Sequence, residues 1–152
     1  MAVNLQELPN KCRNALKEIE DGKNNEPHFE QLDITPQHQF IRCITEHDLD
    51  NERQGFALSS AFQDHDMSVY VIGPGFSSLD IQTLVSSNQN WTTAVKIPAG
   101  IFFENAILTK LLIRHDPFTD PKGNRHDNHA RVICTKGATV AKTIWKEHQP
   151  AL

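Results

Sequence analysis

The strongest constraint on this chain is the parcelling of its apolar residues into short runs, alternating or rich in branched side chains, with few helical stripes between them. Gln39-Phe40-Ile41-Arg42-Cys43-Ile44-Thr45, Met67-Ser68-Val69-Tyr70-Val71-Ile72 and Thr92-Thr93-Ala94-Val95-Lys96-Ile97 each read as a strand. So do residues 107–114 and Ala130-Arg131-Val132-Ile133-Cys134-Thr135. The run 56–62 fits either a strand or a short helix, and 100–106 either a short helix or an extended connection. Helical spacing is found in three places. Cys12, Ala15, Leu16 and Ile19 predict a helix over 10–20, capped by Asn10 and ended by Asp21-Gly22. Ser77, standing three residues before Asp80, resembles a capping box opening a helix through Leu79, Ile81, Leu84 and Val85. A last helix over 139–147 buries Val140, Ala141, Ile144 and Trp145. Strands clustered without regular strand–helix alternation predict an α+β domain. Its sheet is expected to be mostly antiparallel, with about five strands and flanking N-terminal and C-terminal helices. The chain reads as one domain over 1–152, with helix and loop in 1–38 and the core in 39–148.

Charge narrows the function classes. Fifteen Lys and Arg against 19 Asp and Glu leave a net charge of −4, which gives no electrostatic reason to expect nucleic-acid binding. No apolar run approaches the ~18 residues of a membrane span. The first residues lack the basic start and apolar stretch of a signal peptide, so a cytoplasmic location is expected, with secretion by a signal-less route left open. Cys12, Cys43 and Cys134 are odd in number and far apart, as reduced thiols would be.

Eight histidines are the one unusual count. His28, His38, His47, His65 and His148 are dispersed, whereas His115, His126 and His129 share one polar, turn-rich segment between two strands. Loops of that length are more often functional than short ones. His126 and His129, with His115 or an aspartate, could supply metal ligands, although no recognised ligand spacing accompanies them. The plainer alternative is a solvated loop whose Asp and Asn residues close turns. His129, at the start of a strand, suits a general acid or base, since an unperturbed imidazole titrates near pH ~6.5. Arg42 shares a strand face with Phe40 and Ile44, and a guanidinium there needs either a carboxylate partner or an anionic ligand such as a pyrophosphate. Ser59, Ser60 and Ser68 place hydroxyls near strand boundaries without a nucleophile elbow around them.

Taken in order, Phe40-Ile41-Arg42, Ser68-Val69-Tyr70, Ile97-Pro98-Ala99-Gly100 and Asp116 followed by His129-Ala130 resemble the layout of small ADP-ribosyltransferase-like toxins delivered by type VI secretion. The same residues are similar to those of a group of short uncharacterised bacterial proteins. The resemblance covers about residues 39–148 and implies an NAD-binding toxin or conflict-system effector. Carried over, it makes Arg42 the dinucleotide anchor and Ser59, Ser60 or Ser68 part of the nicotinamide pocket. The late Glu or Gln of that layout has no clear match, since Glu104 is displaced and Glu147 lies in the last helix, and His129 stands in its place as an unusual substitute. On this reading Arg42, Ser60 and His129 are catalytic, and Arg42, Ser59 and Ser68 bind NAD. Two other classes stay open. One is a noncatalytic module that grips a protein partner through residues 115–129. The other is a small RNase or metal-binding domain using the same segment, with His126 or His129 and Lys136 as acid, base and phosphate partner.

Overall fold

Residues 39–45 have the branched and aromatic composition of a strand, and Gln39–Thr45 forms one, here β2. The structure is a computed structural model that describes residues 28–30, 33–64, 66–108, 111–133 and 138–152. The helix expected over 10–20 lies outside the described residues. The other strands are β1 (His28–Glu30), β3 (Asp66–Ile72), β4 (Trp91–Pro98), β5 (Leu112–His115), β6 (Phe118–Thr119), β7 (Arg125–His126), β8 (His129–Ile133) and β9 (Gln149–Pro150). Three helices are described: α1 (Ile81–Ser86), α2 (Ile101–Glu104) and α3 (Ala138–Glu147). Short 3-10 turns occupy Glu46–Asp48 and Ser59–Phe62.

Among the described residues the sheet runs β1-β5-β8-β3-β2-β4-β9, seven strands, and every neighbouring pair is antiparallel except β1 with β5. The domain is therefore α+β with a mostly antiparallel sheet. It is wider than about five strands because β1 and the two-residue β9 add themselves at the edges. Among the described residues of the run 107–114, strand begins at Leu112. Leu108 lies in a turn, fully buried in the core, so burial rather than extension explains its apolar character.

Alternation gives the sheet two different faces. One carries Phe40, Ile44, Val69, Val71, Val95, Ile97, Ile113 and Val132, covered by Val140, Ala141 and Ile144 of α3 and by Phe62 and Phe102. Phe40 and Phe102 meet edge to face at 5.3 Å. The opposite face carries Ile41, Cys43, Tyr70 and Ala94 under Leu84 and Val85 of α1. The helix α1 begins later than the sequence pattern implies. Asp80 itself caps it by accepting the Thr83 N–H, while the Ser77 hydroxyl donates to Asn128 instead.

Within residues 115–129 the chain folds back as the ribbon β6–β7, with Phe118 opposite His126 and Thr119 opposite Arg125. An Asp120 carboxylate oxygen closes its turn by accepting the N–H groups of Lys122 and Asn124. Among the described residues no helix is long and apolar enough to cross a membrane.

Candidate active site

Pairing across β3 and β8 sets Tyr70 opposite His129 and Ser68 opposite Arg131. Residues paired directly across two antiparallel strands point to the same face. Ser68, Tyr70, His129 and Arg131 therefore stand together on the α1 side of the sheet. There the Ser68 hydroxyl makes a short hydrogen bond with His129 Nε2. His129 Nδ1 lies 2.7 Å from the Asp116 carbonyl oxygen, an atom that can only accept, so Nδ1 carries the proton. That tautomer leaves Nε2 as the acceptor of the Ser68 O–H. The Asp116 N–H returns a bond to the His129 carbonyl at 3.0 Å, which clasps the two residues together.

Electrostatics fix the same arrangement. One Asp116 carboxylate oxygen lies 3.6 Å from His129 Nδ1 and 2.8 Å from Arg131 Nε. Arg131 also reaches Asp66 at 2.5 Å, so one guanidinium ties β3 to the end of β5. His129 is buried, with Tyr70 edge-on at 5.2 Å and Phe118 edge-on at 4.9 Å. This burial pushes the imidazole below its ordinary value, and the facing Asp116 only partly offsets it. A neutral ring that accepts from a serine hydroxyl, with its other nitrogen held by a fixed acceptor, is arranged as a general base. Beside it His126 stacks on Phe118 at 4.6 Å and bonds Asp120 at 2.9 Å. That bond is the main reason the Asp120 carboxyl sits at about 2.

Arg42 does not join this site. Alternation sends its side chain to the face of Phe40 and Ile44, opposite the Ser68 and His129 side chains. Its Nε donates to the Ala61 carbonyl (3.2 Å), one terminal nitrogen to the Ser68 carbonyl (3.0 Å) and the other to Asp64 (3.0 Å). The reason is local. The paired register of β2 and β3 ends at Ile41 and Tyr70, and the guanidinium satisfies the carbonyl of Ser68 just beyond that point. Of the two partners the sequence allows for Arg42, the structure supplies the carboxylate. Ser60 is also elsewhere, donating to Asp48 at 2.8 Å, and half-buried Ser59 opens the same 3-10 turn. The expected grouping of Arg42, Ser59 and Ser60 with His129 in one cleft is thus not found. Ser68 and His129 alone come together.

Glu104 and Glu147 are exposed at the ends of α2 and α3. His115 donates through Nε2 to the Asp127 carbonyl at 2.6 Å and does not meet His126 and His129 as a ligand set. Among the described residues no group of three or more His, Cys, Asp or Glu is placed to hold a metal ion. Lys136 lies outside the described residues. In the sequence Tyr70 stands out only as part of a strand and of the Ser68-Val69-Tyr70 run, and nothing local singles out Phe118 or Arg131. The patterns Ser68-x-Tyr70 and His129-x-Arg131 are visible signs that each pair shares a face, but the adjacency of β3 and β8 is not written in either. The chain matches no protein family, no characterised protein and no solved structure.

Proposed function

We propose that the protein is an acyl-transferring enzyme, most simply a hydrolase of carboxylic esters. Ser68 is its nucleophile, His129 its general base, and Asp116 the residue that positions the base. The observation that carries this reading is the continuous series from the Ser68 hydroxyl through the His129 ring to Asp116. In the reaction Ser68 Oγ attacks the acyl carbon as its proton passes to His129 Nε2. The imidazolium then returns that proton to the departing alkoxide, leaving an acyl-serine. Water, deprotonated by the same nitrogen, releases the acid and restores the serine. Tyr70 and Phe118 keep the ring desolvated, so the base is neutral at working pH. The NAD-transferase reading draws no support from the geometry, since the arginine it needs as anchor is spent on protein partners on the other face.

The test is labelling with a fluorophosphonate, which reacts only with activated serines, together with hydrolysis of p-nitrophenyl acetate. Labelling mapped to Ser68, lost in both Ser68→Ala and His129→Gln, supports the reading. Loss of the general base should lower kcat by about 10²–10⁴-fold. Folded protein that neither labels nor hydrolyses the ester, or labelling that maps to another serine, overturns it.

A further inference from the structure

A second site lies at one end of the sheet, on the side opposite Ser68 and His129. There the turn after β3 and the segment before β2 enclose a cleft of about 410 Å³. That volume is in the range of small-molecule sites. Its wall is Phe76, half-buried, with His38 edge-on at 5.7 Å and His115 edge-on at 6.2 Å. His115 belongs to the core face of the sheet because it pairs with Ala130, and not with the residues that flank Ser68.

The polar atoms around this cleft are biased toward acceptance. His38 Nδ1 takes the Thr35 N–H at 3.0 Å, so Nε2 carries the proton and spends it on the Pro74 carbonyl at 2.7 Å. The His38 ring thus offers the cleft no donor. His115 gives its Nε2–H to the Asp127 carbonyl, which makes Nδ1 of the neutral ring an acceptor. Asp33, exposed at the rim, brings a carboxylate. A rim carboxylate and an imidazole nitrogen beside an aromatic ring suit a ligand that donates hydrogen bonds and carries positive charge.

We propose that this cleft binds a small organic cation of the primary ammonium or amidinium class, with its charge at Asp33 and its apolar part against Phe76. The Asp33 carboxylate does the selecting by charge, and the tautomers set by backbone partners add lone pairs rather than donors, so an anion is repelled and a neutral alcohol forgoes the charge pairing. The site is separate from the Ser68–His129 pair, so either reading stands or falls alone.

The experiment titrates the full chain with 2-phenylethylammonium and follows amide NMR shifts, with 2-phenylethanol and 3-phenylpropionate as neutral and anionic controls. The expected result is saturable shifts at residues 33–38, 73–76 and 115, with the alcohol about tenfold weaker and the acid silent. Asp33→Asn, a change at an exposed residue, should weaken the ammonium about tenfold without lowering Tm. Ser68→Ala should leave binding unchanged. The proposal is overturned if the alcohol binds as tightly as the ammonium, if Asp33→Asn has no effect, if the shifts fall elsewhere, or if nothing saturates by about 10 mM.

Discussion

His129 shows how one buried side chain links chemistry to stability. Burial dominates its titration, so the folded ring holds its proton less well than the unfolded one, whose value is near 6.5. Between the folded value and ~6.5 the unfolded chain binds more protons, so stability rises with pH there and is complete above it. His148, also buried and shifted down chiefly by burial, acts with the same sign. Thermal melts should therefore be flat above pH ~7 and fall progressively below ~6.5, and a combined His129→Gln, His148→Gln variant should show a shallower slope. The same direction fixes the acid limb of ester hydrolysis, which should lie below pH ~6.5. Asp116→Asn removes a charge that raises the His129 value and should move that limb further toward acid. Cys43 is the opposite kind of residue. Burial among Ile41, Tyr70 and Leu84 pushes its thiol up to about 12, so no thiolate is present at neutral pH. It should resist Ellman's reagent in the native protein and react once guanidinium unfolds the chain, a comparison made simple by a variant lacking the other cysteines.

At the scale of elements, turns and caps decide where the predicted segments stop. Gly73 ends β3 at φ +134°, and a Cβ built there would lie 2.8 Å from Cδ2 of His38. That ring cannot yield, since both its nitrogens are bonded and it is buried. Gly73→Ala combines a strained backbone with this collision and should cost about 1–3 kcal/mol in chemical denaturation. The α1 cap is a gentler case. Asp80→Ala removes one bond to the Thr83 N–H and should cost about 1 kcal/mol, whereas Ser77→Ala leaves that cap intact. This contrast measures what was legible. Both candidates satisfy the N-terminal preference for short polar side chains, and only the fold, by occupying Ser77 with Asn128, assigns the cap. β2 was legible to the residue because its branched and aromatic pattern reaches from one edge of the strand to the other. The ribbon β6–β7 was not, since two-residue strands carry no period and its turn residues looked like solvated loop.

For the molecule as a whole, the C-terminal helix is fastened to the middle of the chain through one histidine and one tryptophan. His148 Nε2 accepts the Ala57 N–H at 3.0 Å, and the Trp145 Nε1–H donates to the Ala57 carbonyl at 3.0 Å. Phe56 and Phe62 pack around the His148 ring at 5.3 and 5.2 Å. Removing the imidazole leaves the buried Ala57 N–H without its acceptor, so His148→Ala should cost about 2–4 kcal/mol. Trp145→Phe keeps most of the packing and loses one bond, so about 1 kcal/mol is expected, read from the same urea midpoints. The sequence by itself determined the class of fold and most strand cores, because alternation and branching act within a few residues. It also marked Ser68, Arg42 and His129 as unusual. Only the tertiary structure decided which of them meet. Placing β3 between β2 and β8 set Ser68 and Tyr70 beside His129 and turned Arg42 away, and that order depends on contacts between segments far apart in the chain, which no local pattern encodes.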